Sequence, residues 1–214
     1  MTTTGCPHPN RAGILQDGTV TDAVRPPLQA RSRDAWERVL AVGLDLLRTE
    51  GYDAFTMGEI CRRAGVSAPS IYARVDGRSG LFLAVYDRGM RAVAATEDRA
   101  LEASGGTIEG VARAMAAVFS EHRDLLRSVI VRAAAEPALL DRGAELSRGV
   151  VERFASRLEH VDPERAAMLV RTLYTECSFR AMYGSEFWRP TAETDDEFVE
   201  RLTTLARLLA GPVH

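Results

Sequence analysis

From residue 32 onward, apolar positions recur at intervals of three and four, the spacing of helices that bury one face. Val39, Leu40, Gly43, Leu46 and Leu47 follow Trp36 on one stripe, and Gly51 stands where a glycine closes a helix. Thr56-x-x-Glu59 is the pattern of a capping box: the Thr oxygen accepts a free backbone N–H and the Glu reaches back. Met57, Ile60 and Ala64 then share a face, and Gly65 ends that helix. Ser67 caps the next, with Pro69 in its first turn, where a missing N–H costs nothing. The "DGRSG" after Val75 reads as a turn, followed by a long helix from about Arg78 to Ala103 that Gly105 and Gly106 close. Further helices are predicted over 107–121, 124–135, 138–160, 163–183 and 195–210, with Pro137 and Pro163 at or just before two of the starts. No segment alternates like a strand, and no repeat of 20–50 residues occurs. The fold class is all-α.

Residues 56–64, the Gly65 turn and 67–75 together predict a helix-turn-helix. In it Met57, Ile60, Ala64, Val66, Ile71 and Val75 pack the two short helices against the first helix. The second short helix is then free to present its N-terminal residues to a DNA major groove.

Composition narrows the function classes. All 27 basic residues are Arg, which excludes a Walker A loop because its lysine is missing. The net charge of −3 hides only a weak asymmetry: residues 31–80 carry eight Arg against seven acids. A nucleic-acid reading therefore rests on placement rather than on net charge. Cys6, Cys61 and Cys177 are odd in number and far apart, which predicts a reducing, cytoplasmic compartment. No run is apolar enough to span a membrane, and the start lacks a secretory pattern. Residues 1–30, rich in Pro, Gly, Thr and Asp without periodicity, predict a disordered arm. Within it, Cys6-Pro7-His8-Pro9 is half a metal site at most and reads as tail.

The block "RVLAVGLDLLRTEGYDAFTMGEICRRAGVSAPSIYARV", continued after the turn by "LFLAVYDRGM", resembles the TetR/AcrR family of bacterial transcriptional regulators. Gly51-Tyr52, Thr56-Met57, Glu59-Ile60, Ala64 to Ser67, Ile71-Tyr72 and Leu81-Phe82 carry the resemblance. It implies a three-helix DNA-binding domain over 31–77 and a helical ligand-binding and dimerisation domain over 78–214. The resemblance also implies partners: a double-stranded palindromic operator, a second copy of the chain and a small-molecule effector, with repression as the usual mode. Carried over, it has Thr56 capping its helix at a phosphate and Ser67, Ala68, Pro69, Ser70 and Ala73 facing the groove. Tyr72 and Arg78 would take phosphates, and Arg31 and Arg33 would act as an arm. The groove-facing side chains are small, so direct readout is thin, carried by Ser70, Arg74 and contact with thymine methyls, with DNA shape supplying much of the rest.

For the C-terminal part, Phe119, His122, Leu126, Ile130, Phe154, Tyr174, Phe179 and Met182 are the candidate cavity residues. Leu169, Leu173 and Cys177 on one helix, with Phe198, Leu202, Leu205 and Leu209 on the last, are candidates for a four-helix dimer interface. The same periodicity suits the subunit's own core, and spacing does not separate the two. Phe187-Trp188 is read as a loop that closes the cavity or packs at the dimer edge.

An enzyme is the first rival, but the four His are scattered, and neither HExxH, a Cys/His cluster nor a GxSxG elbow occurs; no catalytic residue, metal or cofactor is expected. The second is a helical adaptor that kept the fold and lost DNA binding, which the near-neutral N-terminal block keeps open.

Overall fold

The computed structural model describes residues 30–211. Of the arm read over 1–30, residues 1–29, with Cys6 and His8, lie outside them, and Ala30 belongs instead to the first helix. Ten helices and no strand make up the described residues, consistent with the all-α reading.

The N-terminal block is α1 (Ala30–Thr49), a single turn α2 (Gly51–Ala54), α3 (Met57–Ala64) and α4 (Ala68–Tyr72). Gly65 turns the chain between α3 and α4 in the left-handed region, φ 64°, and its N–H donates to the Cys61 carbonyl. Ile60, Ala64, Ile71 and Val75 are buried, and Met57 and Val66 pack against them half-buried. The half of the capping box that depends on Thr56 forms: its Oγ1 accepts from the Glu59 N–H at 3.2 Å. The other half does not, because the Glu59 carboxylate turns to Arg62 and Arg63 while the Thr56 N–H donates to the Ala54 carbonyl.

The long α5 (Gly77–Ala103) belongs to both parts of the molecule. Its first turns complete the N-terminal core: Phe82 meets Phe55 edge-on at 5.7 Å, and Val85 sits against Gly43 of α1. Its later turns wall the second part, built from α6 (Ile108–Glu121), α7 (Arg123–Ala133), α8 (Pro137–Ala155), α9 (Pro163–Tyr183) and α10 (Asp195–Ala210). Helix α9 is the hub, packed against α6, α7, α8 and α10. Asp162 caps it through the Arg165 N–H, and Thr194 with Glu197 forms a complete capping box on α10. Helix α8 stops at Ala155 rather than 160, because bonds from Arg157 to Phe154 and from Leu158 to Ala155 tighten its end and carry Leu158 into the core.

Candidate functional site

The outer edge of the N-terminal block is the short α4. Ser67, Pro69, Ser70, Tyr72 and Ala73 are exposed there, Ala68 is half-buried, and Ile71 anchors the helix from beneath. A helix of five residues has one turn to present, and its single inward residue leaves the others turned outward. The Ser67 and Ser70 hydroxyls lie 2.9 Å apart, so Ser67 caps no N–H and instead forms a hydroxyl pair with Ser70. Thr56 and Arg33 are exposed on the neighbouring helices, and Arg31 lies in α1 with its side chain outside the described residues.

The arginines depart from the sequence expectation. Arg74 is buried: its guanidinium lies 5.3 Å from the Trp36 ring and donates to the Ser32 carbonyl at 2.9 Å and hydroxyl at 2.5 Å. It braces α4 on α1 and does not reach a groove. The reason is geometric: position 74 follows the last turn of α4, where the chain bends back toward α1. Arg78 is exposed but lies over the Tyr52 ring at 4.3 Å and donates to the Tyr52 carbonyl at 2.7 Å. Arg62 and Arg63 grip Glu59, and Arg63 also reaches Glu50 at 2.8 Å. The two guanidiniums, Arg62 first, hold the Glu59 carboxyl at about 2.

A second feature is a cavity of about 450 Å³ between α5, α6, α7, α8 and α9. Of the candidates, Phe119, Leu126, Ile130, Tyr174 and Met182 line it. His122, Phe154 and Phe179 do not. His122 is buried beside Thr96, with its Nε2 2.9 Å from the Thr96 hydroxyl. Phe154 is wholly interior core. Phe179 stacks on Trp188 at 5.3 Å within an outward cluster that includes Tyr183 and Phe187, so that loop does not close the cavity. Size and polarisability made the three candidates, but their neighbours are those of the core and of the outward aromatic cluster.

The sequence reading missed the cavity's α5 wall, Tyr86, Met90, Val93 and Glu97. The signal was present: these positions are four, three and four residues apart, and the last is an acid on an apolar stripe. Glu97 is buried and ion-paired to Arg153 of α8, and burial raises its carboxyl pKa despite that partner. Tyr174 donates to or accepts from Ser147 at 2.7 Å, and burial raises the Tyr86 phenol to about 12. The exposed Leu140 and Leu146 of α8 stand at the cavity's edge.

The dimer candidates divide. Leu169, Leu173, Cys177, Phe198 and Leu202 are interior to this single chain, 0–4 % exposed, and so cannot meet a partner. Helix α9 is apolar toward four neighbours, and its stripe is spent on them. Burial also pushes the Cys177 thiol up, away from the thiolate that redox chemistry needs. Leu205 and Leu209 are half-buried, and Leu208 of α10 and Met168 of α9 are exposed. Among the described residues no group of His, Cys, Asp and Glu is arranged to hold a metal ion, and no helix is long and apolar enough to cross a membrane.

Residues 39–85 match the family described as bacterial regulatory proteins, tetR family. HTH-type transcriptional regulators of Mycobacterium tuberculosis and Mycobacterium bovis are 30 % identical over 106 residues, 48 % of this chain and 50 % of each of theirs. The chain thus spans about half the length of the curated relatives it matches. Two solved structures share the fold. A TetR-like transcriptional regulator from Rhodococcus sp. RHA1 superposes with a TM-score of 0.63 at 20 % identity, over 83 % of this chain and 97 % of that one. A TetR/AcrR-family regulator from Aquifex aeolicus VF5 gives 0.62 at 18 %, over 82 % and 99 %. The resemblance carried by the N-terminal block is therefore a tetR-family one, set in a fold that this family's solved members share.

Proposed function

We propose that this chain is a DNA-binding transcriptional regulator that acts as a homodimer on a palindromic operator and is released by a small molecule. The observation that carries the reading is the tetR-family block ending in an α4 whose Ser67, Pro69, Ser70, Tyr72 and Ala73 all lie at its outer surface. Residues 31–77 supply the DNA contacts, and the helices from residue 78 onward supply the cavity and the partner surface. Ser67 and Ser70 hydroxyls read base edges, Tyr72 and Thr56 meet phosphates, and Arg31 and Arg33 extend along the backbone. Direct readout rests on Ser67 and Ser70 without Arg74, so operator shape carries more of the selectivity. The exposed Met168 and Leu208 support pairing of α9 and α10 with the same face of a second copy. An effector in the cavity that favours the wrong separation of the two α4 helices lowers operator affinity. Repression is the default mode, and catalysis has no part in this reading.

The test is fluorescence anisotropy of the purified chain with the DNA upstream of its own gene and with a scrambled control, at two salt concentrations. Sequence-selective binding that weakens as salt rises is the expected result. One observation favours the alternative of a helical adaptor: Arg62, Arg63, Arg74 and Arg78 all have partners within the chain. Equal, weak binding to operator candidates across the whole genome would select it.

A further inference from the structure

The cavity has one charged pair in a mostly apolar wall, and its two charges are unequally buried. The Glu97 side chain is 7 % exposed, whereas that of Arg153, which reaches it from α8, is 47 % exposed. Among the described residues Arg153 is the one hydrogen-bond partner of the Glu97 carboxylate. Arg153 sits at the edge and can turn its guanidinium into water at little cost, as long flexible arginines do. Glu97 has no such escape, and a buried carboxylate left alone is strongly unfavourable. A replacement cation is therefore what the cavity accepts best. The rings of Phe119 and Tyr174 are on the same lining, and aromatic rings attract cations further; Tyr86 already has the Arg142 guanidinium 5.7 Å from its ring centre. An anionic ligand would instead bring a second negative charge to a site that already buries one. A neutral ligand would leave the ion pair in place and gain only apolar burial.

From this we infer that the cavity binds an amphipathic monocation, a quaternary or protonated amine whose head replaces the Arg153 guanidinium on Glu97 and whose apolar tail lies along Met90 and Val93. The inference rests on reading the cavity as the ligand site of a regulator and names the class of molecule that fills it.

The experiment is isothermal titration calorimetry of the full chain with three probes of equal tail length: decyltrimethylammonium, decanoate and decanol, each below its micellar concentration. The cation binds at least about tenfold tighter than the other two, as an aromatic-lined anionic site requires. Glu97→Gln loses about tenfold for the cation and leaves decanol unchanged, while Arg153→Gln binds the cation severalfold tighter because the internal competitor is gone. Equal or tighter binding of decanoate or decanol overturns the inference, as does no binding of any probe or a cation affinity indifferent to Glu97→Gln. Circular dichroism reports whether Glu97→Gln folds. If it does not, Arg153→Gln decides, and unchanged or weaker cation binding in it overturns the inference. Operator anisotropy with each probe separates the two readings. A cation that binds through Glu97 without releasing DNA refutes the effector role and leaves the inference standing. Decanoate that binds best and releases DNA does the reverse.

Discussion

The N-terminal block and the C-terminal bundle use apolar stripes differently. In the block, residues expected at the surface are mostly there: Thr56, Ser67, Pro69, Ser70, Tyr72 and Ala73 are exposed around α3 and α4. In the bundle, residues expected to meet a partner are mostly inside: Leu169, Leu173, Cys177, Phe198 and Leu202 are core. A short helix capped at one end and stopped by a left-handed glycine at the other has one inward residue or two, so its rotation follows from the motif. A hub helix such as α9 keeps only a narrow exposed strip, Glu164, Met168, Arg171 and Thr175, and its remaining apolar positions do not say which of four neighbours they meet. Surface chemistry is thus readable where a helix has one partner and ambiguous where it has several.

Five outcomes break or sharpen this contrast. Leu169→Ala, at a wholly buried position, lowers unfolding free energy in denaturant by about 2–5 kcal/mol at any protein concentration. A loss confined to dilute protein would return Leu169 to the dimer surface. Gly43→Ala tests the junction of the two regions: a methyl there would lie 2.6 Å from Val85 Cγ2 and 3.1 Å from Phe55. Overpacking costs about 1–3 kcal/mol, read as a lower melting temperature, with no change in sequence preference of the folded fraction. Arg74→Ala costs about 1–2 kcal/mol of stability through the lost Ser32 bonds and the Trp36 contact. Its effect on DNA is uniform across operator variants, and a change at one base pair alone would restore it to the groove.

His122 supplies the pH test. Burial, opposed in part by Glu121, holds its pKa below the ordinary 6.5. The folded state therefore resists protonation: the neutral ring's contribution is complete above pH 6.5 and is lost as pH falls through the lowered folded value. Melting temperature falls over that window, and His122→Gln flattens the fall. The smallest effect on folding belongs to Leu208→Ala, since the side chain is 76 % exposed; it changes fold stability by less than about 0.5 kcal/mol. If α9 and α10 pair with a second copy, the same substitution raises the dimer dissociation constant in sedimentation equilibrium.

Local signals carried much of the exposed surface around α4 and part of the cavity lining. Caps, glycines and short stripes located α3 and α4, yet Arg74, one residue beyond the exposed Ala73, turned inward once the chain bent back to α1. Five of eight cavity candidates line the cavity, and the wall from Tyr86 to Glu97 was overlooked because its stripe reads as ordinary core. The acid at its end was the one departure from that pattern.

By itself the sequence determined the all-α class, the positions of the helices and the capped, glycine-turned motif of the N-terminal block. Those features depend on residues within a few positions of one another, where period, cap and turn chemistry act directly. Only the tertiary structure decided that α9 lies at the centre, that Arg62, Arg63, Arg74 and Arg78 have internal partners, and that Glu97 and Arg153, 56 positions apart, meet at the edge of a cavity. Each of these depends on which faces of distant helices are brought together. An apolar stripe demands burial but does not name the surface that buries it.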